Sequence, residues 1–518
     1  MCVFMIKGYF NKENWGTVVF IVAFVGLFFY YNLHESLFYP PQSLHIWRQT
    51  NSLSLAQNYY QYGLPLLKPE MHNQFPDNGY SGKSVGEFPI IYYTVAKLWQ
   101  IFGEHEWIFK LFQNVILFIG LFALYRVLRE VVTNELYALL VSLLIFTSPT
   151  FIYFGPNFLP DVPSLSFVFI AWFFCIRFLR ERKVATLWLT SCMFCLAMLL
   201  KITAAISFIA IGGWVLFEIL FLKEEEQIFK FRFKQILPFI ISTLIVICWY
   251  FYANHYNKVH GGHFSFHGIW PIWDMDRAHF DRVIEALENI YFKELFFPLT
   301  QYLTVGIWLG LILMIRKLDR ISRFLVIVLP IGFLLQLILW FQVLENHDYY
   351  MINLYVVFVA IWGIFMRQLA KHKLKWKYIT YSVLLVFFTV NVVKCRKQVL
   401  DRYQGWMQND FNRMKALNDI EPYFEQWGIE KEAKVISMND FSINSSLYYM
   451  NRKGYTNFGS DLTKAETIYD RIRKGARFMV VTDTTILSQY FLAPFIHEKL
   501  GSYQNVFVYD LRNINFKE

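Results

Sequence analysis

The chain has 518 residues, 56% hydrophobic and 20% aromatic, with only 17% charged, against about 25% charged in soluble domains. Together with a mean hydropathy of +0.34, this excludes an ordinary soluble enzyme and predicts a multi-pass membrane protein. The net charge of +10 sits in short clusters between apolar runs, which is the positive-inside pattern; it argues against a nucleic-acid partner and for membrane lipid.

Apolar runs of about 17 to 25 residues recur along the chain, long enough to cross a bilayer. In lipid they must be helices, because only a helix satisfies its own backbone. Lys7 and Lys12 precede the first run, about Trp15 to Tyr31. No small-residue cleavage pattern follows it, so it reads as a retained anchor with a cytoplasmic N-terminus.

A polar stretch from Ser43 to Tyr93 comes next and would lie outside. Its first part, His45 to Tyr62, has helical spacing with His45, Arg48 and Ser52 on one stripe, and is expected to lie along the interface. Gly63 and Pro65 end it, and Glu87 precedes the return to apolar sequence.

Further runs are expected at about Trp107 to Leu128, Leu136 to Tyr153 and Ser164 to Phe178. The second and third of these are separated by a short polar piece, Asn157 to Pro163, that contains Asp161. Two more fit between Thr186 and Leu222, with Lys201 at the turn between them. The remaining runs are about Ile236 to Ala253, Leu299 to Ile315, Phe324 to Phe341, Met351 to Met366 and Tyr378 to Val393. That makes about eleven spans, with every basic cluster on one side. Residues 394–518 are polar, with strand-like runs at 434–438, 477–482 and 505–509 and a helical piece from Lys464 to Lys474, which suggests a small α/β domain on the outer side.

The cysteines are Cys2, Cys175, Cys192, Cys195, Cys248 and Cys395. Cys192 and Cys195 form a C-x-x-C inside a predicted span with no second pair, which reads as packing rather than as metal or redox chemistry. The histidines at 255, 260, 263 and 267 match no tight zinc spacing.

The polar pieces at 43–93 and 157–163 are where hydrophilic chemistry can be housed, and they are expected to meet at the outer face. Asp161, between two prolines at a span mouth, suits a partly desolvated general base, or simply a helix start. Lys201, flanked by apolar sequence, suits a phosphate or pyrophosphate, or snorkels to the interface. His45 and Arg48 share a face, and an arginine there suits a phosphate. The aromatics Trp47, Tyr59, Tyr60 and Tyr62 also fit an interfacial belt. Glu87 could hold a sugar hydroxyl or a metal, or cap a helix. His347, with Asp348, Tyr349 and Tyr350, marks a further outer helix end with a possible phosphate or sugar contact.

Taken together, these residues resemble the GT-C glycosyltransferases that use polyprenyl-phosphate sugars, closest to the protein mannosyltransferase and aminoarabinose transferase branch. His45-Ile46-Trp47-Arg48-Gln49-Thr50 occupies the family's first-loop position. Glu87-Phe88-Pro89-Ile90-Ile91-Tyr92-Tyr93 looks like its Pro-aromatic re-entry, and Leu159-Pro160-Asp161-Val162-Pro163 like its second-loop motif. The chain departs from the family at His45, where an acid would fall. A neutral imidazole serves as base or ligand, so the change does not exclude activity.

The resemblance implies a GT-C transmembrane domain over residues 1–393, with outer loops 32–106 and 254–298, and an extracytoplasmic α/β domain over 394–518. It implies a glycosyltransferase of a bacterial cytoplasmic membrane, moving a sugar from a polyprenyl-phosphate donor to a hydroxyl of a lipid, glycan or protein acceptor. Asp161, with His45 and Glu87, would be catalytic. Arg48, Lys201, His347, Tyr350 and Tyr92 would bind the substrate or its phosphate. A divalent metal ion, if one is used, would fall to His45, Asp161 and Glu87. The rival classes are a lipid-linked sugar flippase, which predicts midplane charges and an internal repeat, and a surface-glycan polymerase or ligase.

Overall fold

A computed structural model describes residues 15–229, 233–264, 268–371, 376–405 and 408–514. The flanking Lys7 and Lys12, and the loop residue His267, lie outside the described residues. The chain divides into two compact units. One takes in Met1–Phe38, Lys110–Trp249 and Gly268–Asp401; the other Tyr39–Phe109, Tyr250–His267 and Arg402–Glu518.

The first unit is helical, and the apolar runs of the sequence are helical in the structure. Among the described residues six helices are long and apolar enough to cross a membrane: Asp161–Glu181, Ile202–Phe221, Lys234–Val259, Arg320–Leu339, Asp348–Lys371 and Lys377–Arg402. A seventh crossing results if Arg277–Glu294 and Pro298–Leu313, bent by 97° at their junction, are one span. Trp15–Tyr30, Glu135–Thr147 and Val184–Leu200 are apolar but shorter. The run from Leu136 to Tyr153 is broken, because Pro149 cannot donate to the preceding turn and starts a new short helix, Pro149–Phe154, capped by Ser148.

Polar and small side chains join these helices, as expected where lipid gives no hydrophobic drive for helix association. Thr300 Oγ1 donates to Asn391 Oδ1 at 2.6 Å, and Trp362 Nε1 to Thr304 Oγ1 at 2.9 Å. A Cβ on Gly120 would stand 2.5 Å from the Ser166 Cβ, so the helices Glu106–Val132 and Asp161–Glu181 cross there at backbone distance. Glu218, an acid in an apolar helix, is fully buried. Its carboxylate accepts from Trp214 Nε1 at 2.8 Å and from the amides of Ile228 and Phe229 at 3.0 and 2.8 Å, which fastens the following loop.

The second unit is built on a five-stranded sheet of β1 (Lys434–Met438), β2 (Gly454–Thr456), β3 (Ala476–Val481), β4 (Lys499–Tyr503) and β5 (Val506–Asp510), in the order β2-β1-β3-β5-β4. β1 runs parallel to β2 and β3, while β5 is antiparallel to β3 and β4. The expected strands are present. β2 is only three residues long and β4 carries Gly501 and Ser502, so neither offered an alternating apolar pattern to read. Ile436, Met438, Met479 and Val481 form the core with Ile468, Leu492 and Phe495.

The 43–93 stretch belongs to this unit rather than lying along an interface. The helix Ile46–Tyr62 is buried on nearly all sides, including Gln49, Asn51, Ser54 and Asn58. Its polar side chains find protein partners: Thr50 Oγ1 meets Ser445 Oγ at 2.9 Å, and Asn444 Nδ2 donates to Asn51 Oδ1 at 2.8 Å. Beyond it, the backbone at 72–74 pairs with the free edge of β2, with Gln74 N donating to Gly454 O at 2.8 Å and Gly454 N to His72 O at 3.1 Å. An edge that would otherwise offer unpaired amides is thereby covered. Position 393/394 falls inside the continuous helix Lys377–Arg402.

Candidate functional site

Pro160 precedes the helix Asp161–Glu181, and Pro163 fits in its first turn, where a missing amide costs nothing. Asp161 therefore stands at a helix N-terminus, where the dipole favours a negative charge. It is completely buried. Lys201 ends the helix Val184–Leu200 in an extended conformation and turns its side chain back to the same place. Its Nζ lies 3.2 Å from Asp161 Oδ1, 4.0 Å from the centre of the Tyr350 ring and 5.0 Å from that of Tyr349. Asp161, Lys201 and Tyr350, singled out separately in the sequence, are one cluster.

The cluster is braced from behind. Ser164 Oγ donates to Ala197 O at 2.9 Å, and Asn353 Nδ2 to Thr203 Oγ1 at 3.0 Å. Gln336 Nε2 donates to Tyr350 O at 3.2 Å. His347 is one step removed: its Nδ1 meets Val343 O at 3.2 Å, and its ring lies 5.4 and 6.1 Å from those of Tyr349 and Tyr350.

The other candidates lie in the second unit. His45 caps the helix Ile46–Tyr62 at a φ of 58°, a left-handed position that histidine tolerates better than most residues. Arg48 and Glu87 are ion-paired with each other, and the Tyr92 hydroxyl donates to the same Glu87 oxygen. Ser52 Oγ donates to Tyr92 at 3.4 Å. Burial, then the nearby Glu87 charge, pushes the Tyr92 phenol up, so it stays a donor. Glu87 is thus a hub that fixes Arg48.

A divalent ion does not fit this donor set. The Asp161 carboxylate already faces an ammonium, and that of Glu87 a guanidinium and a phenol, so each anionic donor is already neutralised. Among the described residues no three His, Cys, Asp or Glu side chains gather as metal ligands. Of the loop histidines, His260 pairs with Asp77 at 2.6 Å.

Lys110 and Gln113 escaped the reading of the sequence. Both are buried in the helix Glu106–Val132 against the 157–161 segment. The available signal was an ionisable residue inside an apolar run.

The fold of the chain is similar to that of several solved structures. ArnT from Cupriavidus metallidurans, solved with undecaprenyl phosphate, superposes with a TM-score of 0.59 at 12% identity, over 98% of this chain and 100% of that one. The protein has the GT-C fold. The likeness read from the three motifs is thereby borne out. Other proteins of the GT-C fold are also similar. The oligosaccharyltransferase AglB from Archaeoglobus fulgidus, solved with an inhibitory peptide and a dolichol-phosphate, gives 0.51 at 11% identity, over 92% of this chain and 70% of that one. The arabinofuranosyltransferase AftD from Mycobacteria gives 0.52 at 13%, over 97% and 40%. The family model of dolichyl-phosphate-mannose-protein mannosyltransferases matches residues 86–252, which include Glu87, Asp161 and Lys201 but not His45, Arg48, His347 or Tyr350. No curated protein matches the chain.

Proposed function

We propose that this GT-C protein is a glycosyltransferase of a bacterial cytoplasmic membrane. It moves a sugar from a polyprenyl-phosphate donor to a hydroxyl of a lipid, glycan or protein acceptor on the outer face. The observation that carries the reading is the buried Asp161–Lys201 pair against Tyr350. A carboxylate and an ammonium at one buried point are the two groups that transfer from a sugar phosphate requires, a proton acceptor and a cation for the leaving group. Clustering of the basic residues on one side of the expected topology supports the outer-face assignment.

In the proposed reaction the acceptor oxygen attacks the anomeric carbon and its proton passes to Asp161. The bond from the anomeric carbon to the phosphate oxygen breaks, and the electron pair leaves with the polyprenyl phosphate. Direct displacement inverts the anomeric centre. Lys201 stabilises the charge developing on the phosphate, an effect that is strong in a water-poor site. When the donor phosphate draws the ammonium to itself, the Asp161 carboxylate loses its partner and is available to take the proton. Tyr350 and His347 border the ammonium and complete this side. Within the second unit, Arg48, held in place by Glu87 and Tyr92, is proposed to bind phosphate. Residues 394–518 are proposed to select the acceptor on the outer side.

The test is transfer by the purified protein from a panel of radiolabelled undecaprenyl-phosphate hexoses and pentoses, with a membrane glycolipid extract as acceptor. Consumption of one donor, reduced about a hundredfold or more by Asp161→Asn, is the expected result. Lipid-linked sugar crossing a vesicle with no donor consumed would replace this reading with a flippase.

A further inference from the structure

One face of the helix Glu106–Val132 follows the segment that leads into Asp161. Lys110, Gln113, Leu117 and Gly120 recur at helical spacing on that face. The Lys110 ammonium lies 4.9 Å from the centre of the Phe158 ring, and Gln113 Nε2 donates to Leu159 O at 3.1 Å. A Cβ on Gly155 would stand 3.0 Å from a Leu117 methyl, and Gly120 meets Ser166. Lys110 Nζ also donates to Ser36 O at 2.8 Å, which ties the end of the short helix Leu33–Ser36 into the same contact.

Lys110 is 4% exposed and Gln113 and Phe158 are fully buried. An ammonium at this depth is costly unless protein groups replace its water, and a methionine would fill the same space without that cost. What the cation supplies is placement. It reaches the carbonyl of one segment and the ring of another, and that ring begins the run Phe158-Leu159-Pro160-Asp161. With Leu159 O held by Gln113 and the Pro160 φ fixed by its ring, few torsions remain free before the Asp161 carboxylate.

We infer that Lys110 is a positioning residue for Asp161. It acts with Gln113 through Phe158 and the Leu159 carbonyl, and sets the distance between the carboxylate and Lys201. This rests on Asp161 being the base proposed above. A displacement of about 1 Å at a reacting group costs about a hundredfold in rate, so a residue that meets no substrate controls turnover from here.

The experiment is a double-mutant cycle of Lys110→Met and Asp161→Asn, read as kcat and KM for the undecaprenyl-phosphate sugar of the panel that is consumed fastest. Lys110→Met is expected to lower kcat about ten- to a hundredfold with KM nearly unchanged, and to cost nothing further in the Asp161→Asn background. Lys110→Arg, which keeps a cation for the ring and a donor for the carbonyl, recovers part of the loss. If Lys110→Met does not fold, Gln113→Leu takes its place in the same cycle. Losses that multiply in the double mutant overturn the inference and leave Asp161 as the base. An Asp161→Asn enzyme with full turnover removes the base assignment, and the inference with it.

Discussion

The Asp161 carboxylate faces the Lys201 ammonium across 3.2 Å, with the acid wholly buried and the lysine side chain 13% exposed. Removing one member of such a pair leaves an uncompensated buried charge and costs about 3–5 kcal/mol, whereas removing both leaves none. Lys201→Met is therefore expected to destabilise the protein more than the double variant Asp161→Asn/Lys201→Met. Thermal unfolding in detergent checks this, and a double variant less stable than Lys201→Met would contradict the pairing.

Tyr350 presents its ring face to the same ammonium at 4.0 Å. Tyr350→Phe keeps that face and is expected to leave turnover and stability near those of the parent. Tyr350→Leu removes it, with a loss of about 0.5–2 kcal/mol. An equal loss in the two variants would show that the hydroxyl matters rather than the ring face, and no loss in either that the ring face contributes nothing.

His72 gives the second unit a pH dependence. Burial, then the Lys453 charge, lowers its pKa from 6.5 to about 3. The ring accepts through Nδ1, with Ser54 Oγ at 2.8 Å and Asn58 Nδ2 at 3.1 Å. The unfolded chain takes up a proton below 6.5 and the folded one does not until about 3, so stability is complete above the first value. It falls as the pH drops through that window, by up to about 1.4 kcal/mol per pH unit. Asp440, whose pKa burial raises above 3.8, contributes in the opposite direction as the pH rises past that value. Comparing His72→Gln with the parent isolates the histidine: unfolding followed between pH 7 and 4 should show a shallower decline in the variant.

Gly120 and Ser166 let two helices touch at backbone distance. Gly120→Ala places a methyl 2.5 Å from the Ser166 Cβ, so the helices must part, at a cost of about 1–3 kcal/mol. Ser166→Gly in the same chain removes the Cβ and Oγ contacts but leaves the Ser166 Cα 2.7 Å from the methyl, so it should restore part of the lost thermal stability. No recovery in the double variant would mean that the strain lies elsewhere.

Much of the helical scaffold is legible along the chain, because lipid forces every long apolar run into a helix and each run announces itself locally. Asp161 and Lys201 are legible for a related reason: an ionisable residue against apolar sequence stands out wherever it occurs. The strands β1, β3 and β5 show the same local character, whereas β2 is too short to carry a period.

What the sequence by itself determined is the position of the apolar runs, the membrane class and the residue types available for chemistry. These follow from composition and spacing within a few residues. Only the tertiary structure decided which of those residues are partners. Arg48 and Glu87 lie 39 positions apart yet form one ion pair, and Lys201 meets Tyr350 across a still longer separation. The helix Ile46–Tyr62 looked amphipathic, but its polar face is buried against side chains from the 440s. Periodicity records that a face is polar; whether water, lipid or another segment satisfies that face is settled by contacts between distant parts of the chain, which no local pattern encodes.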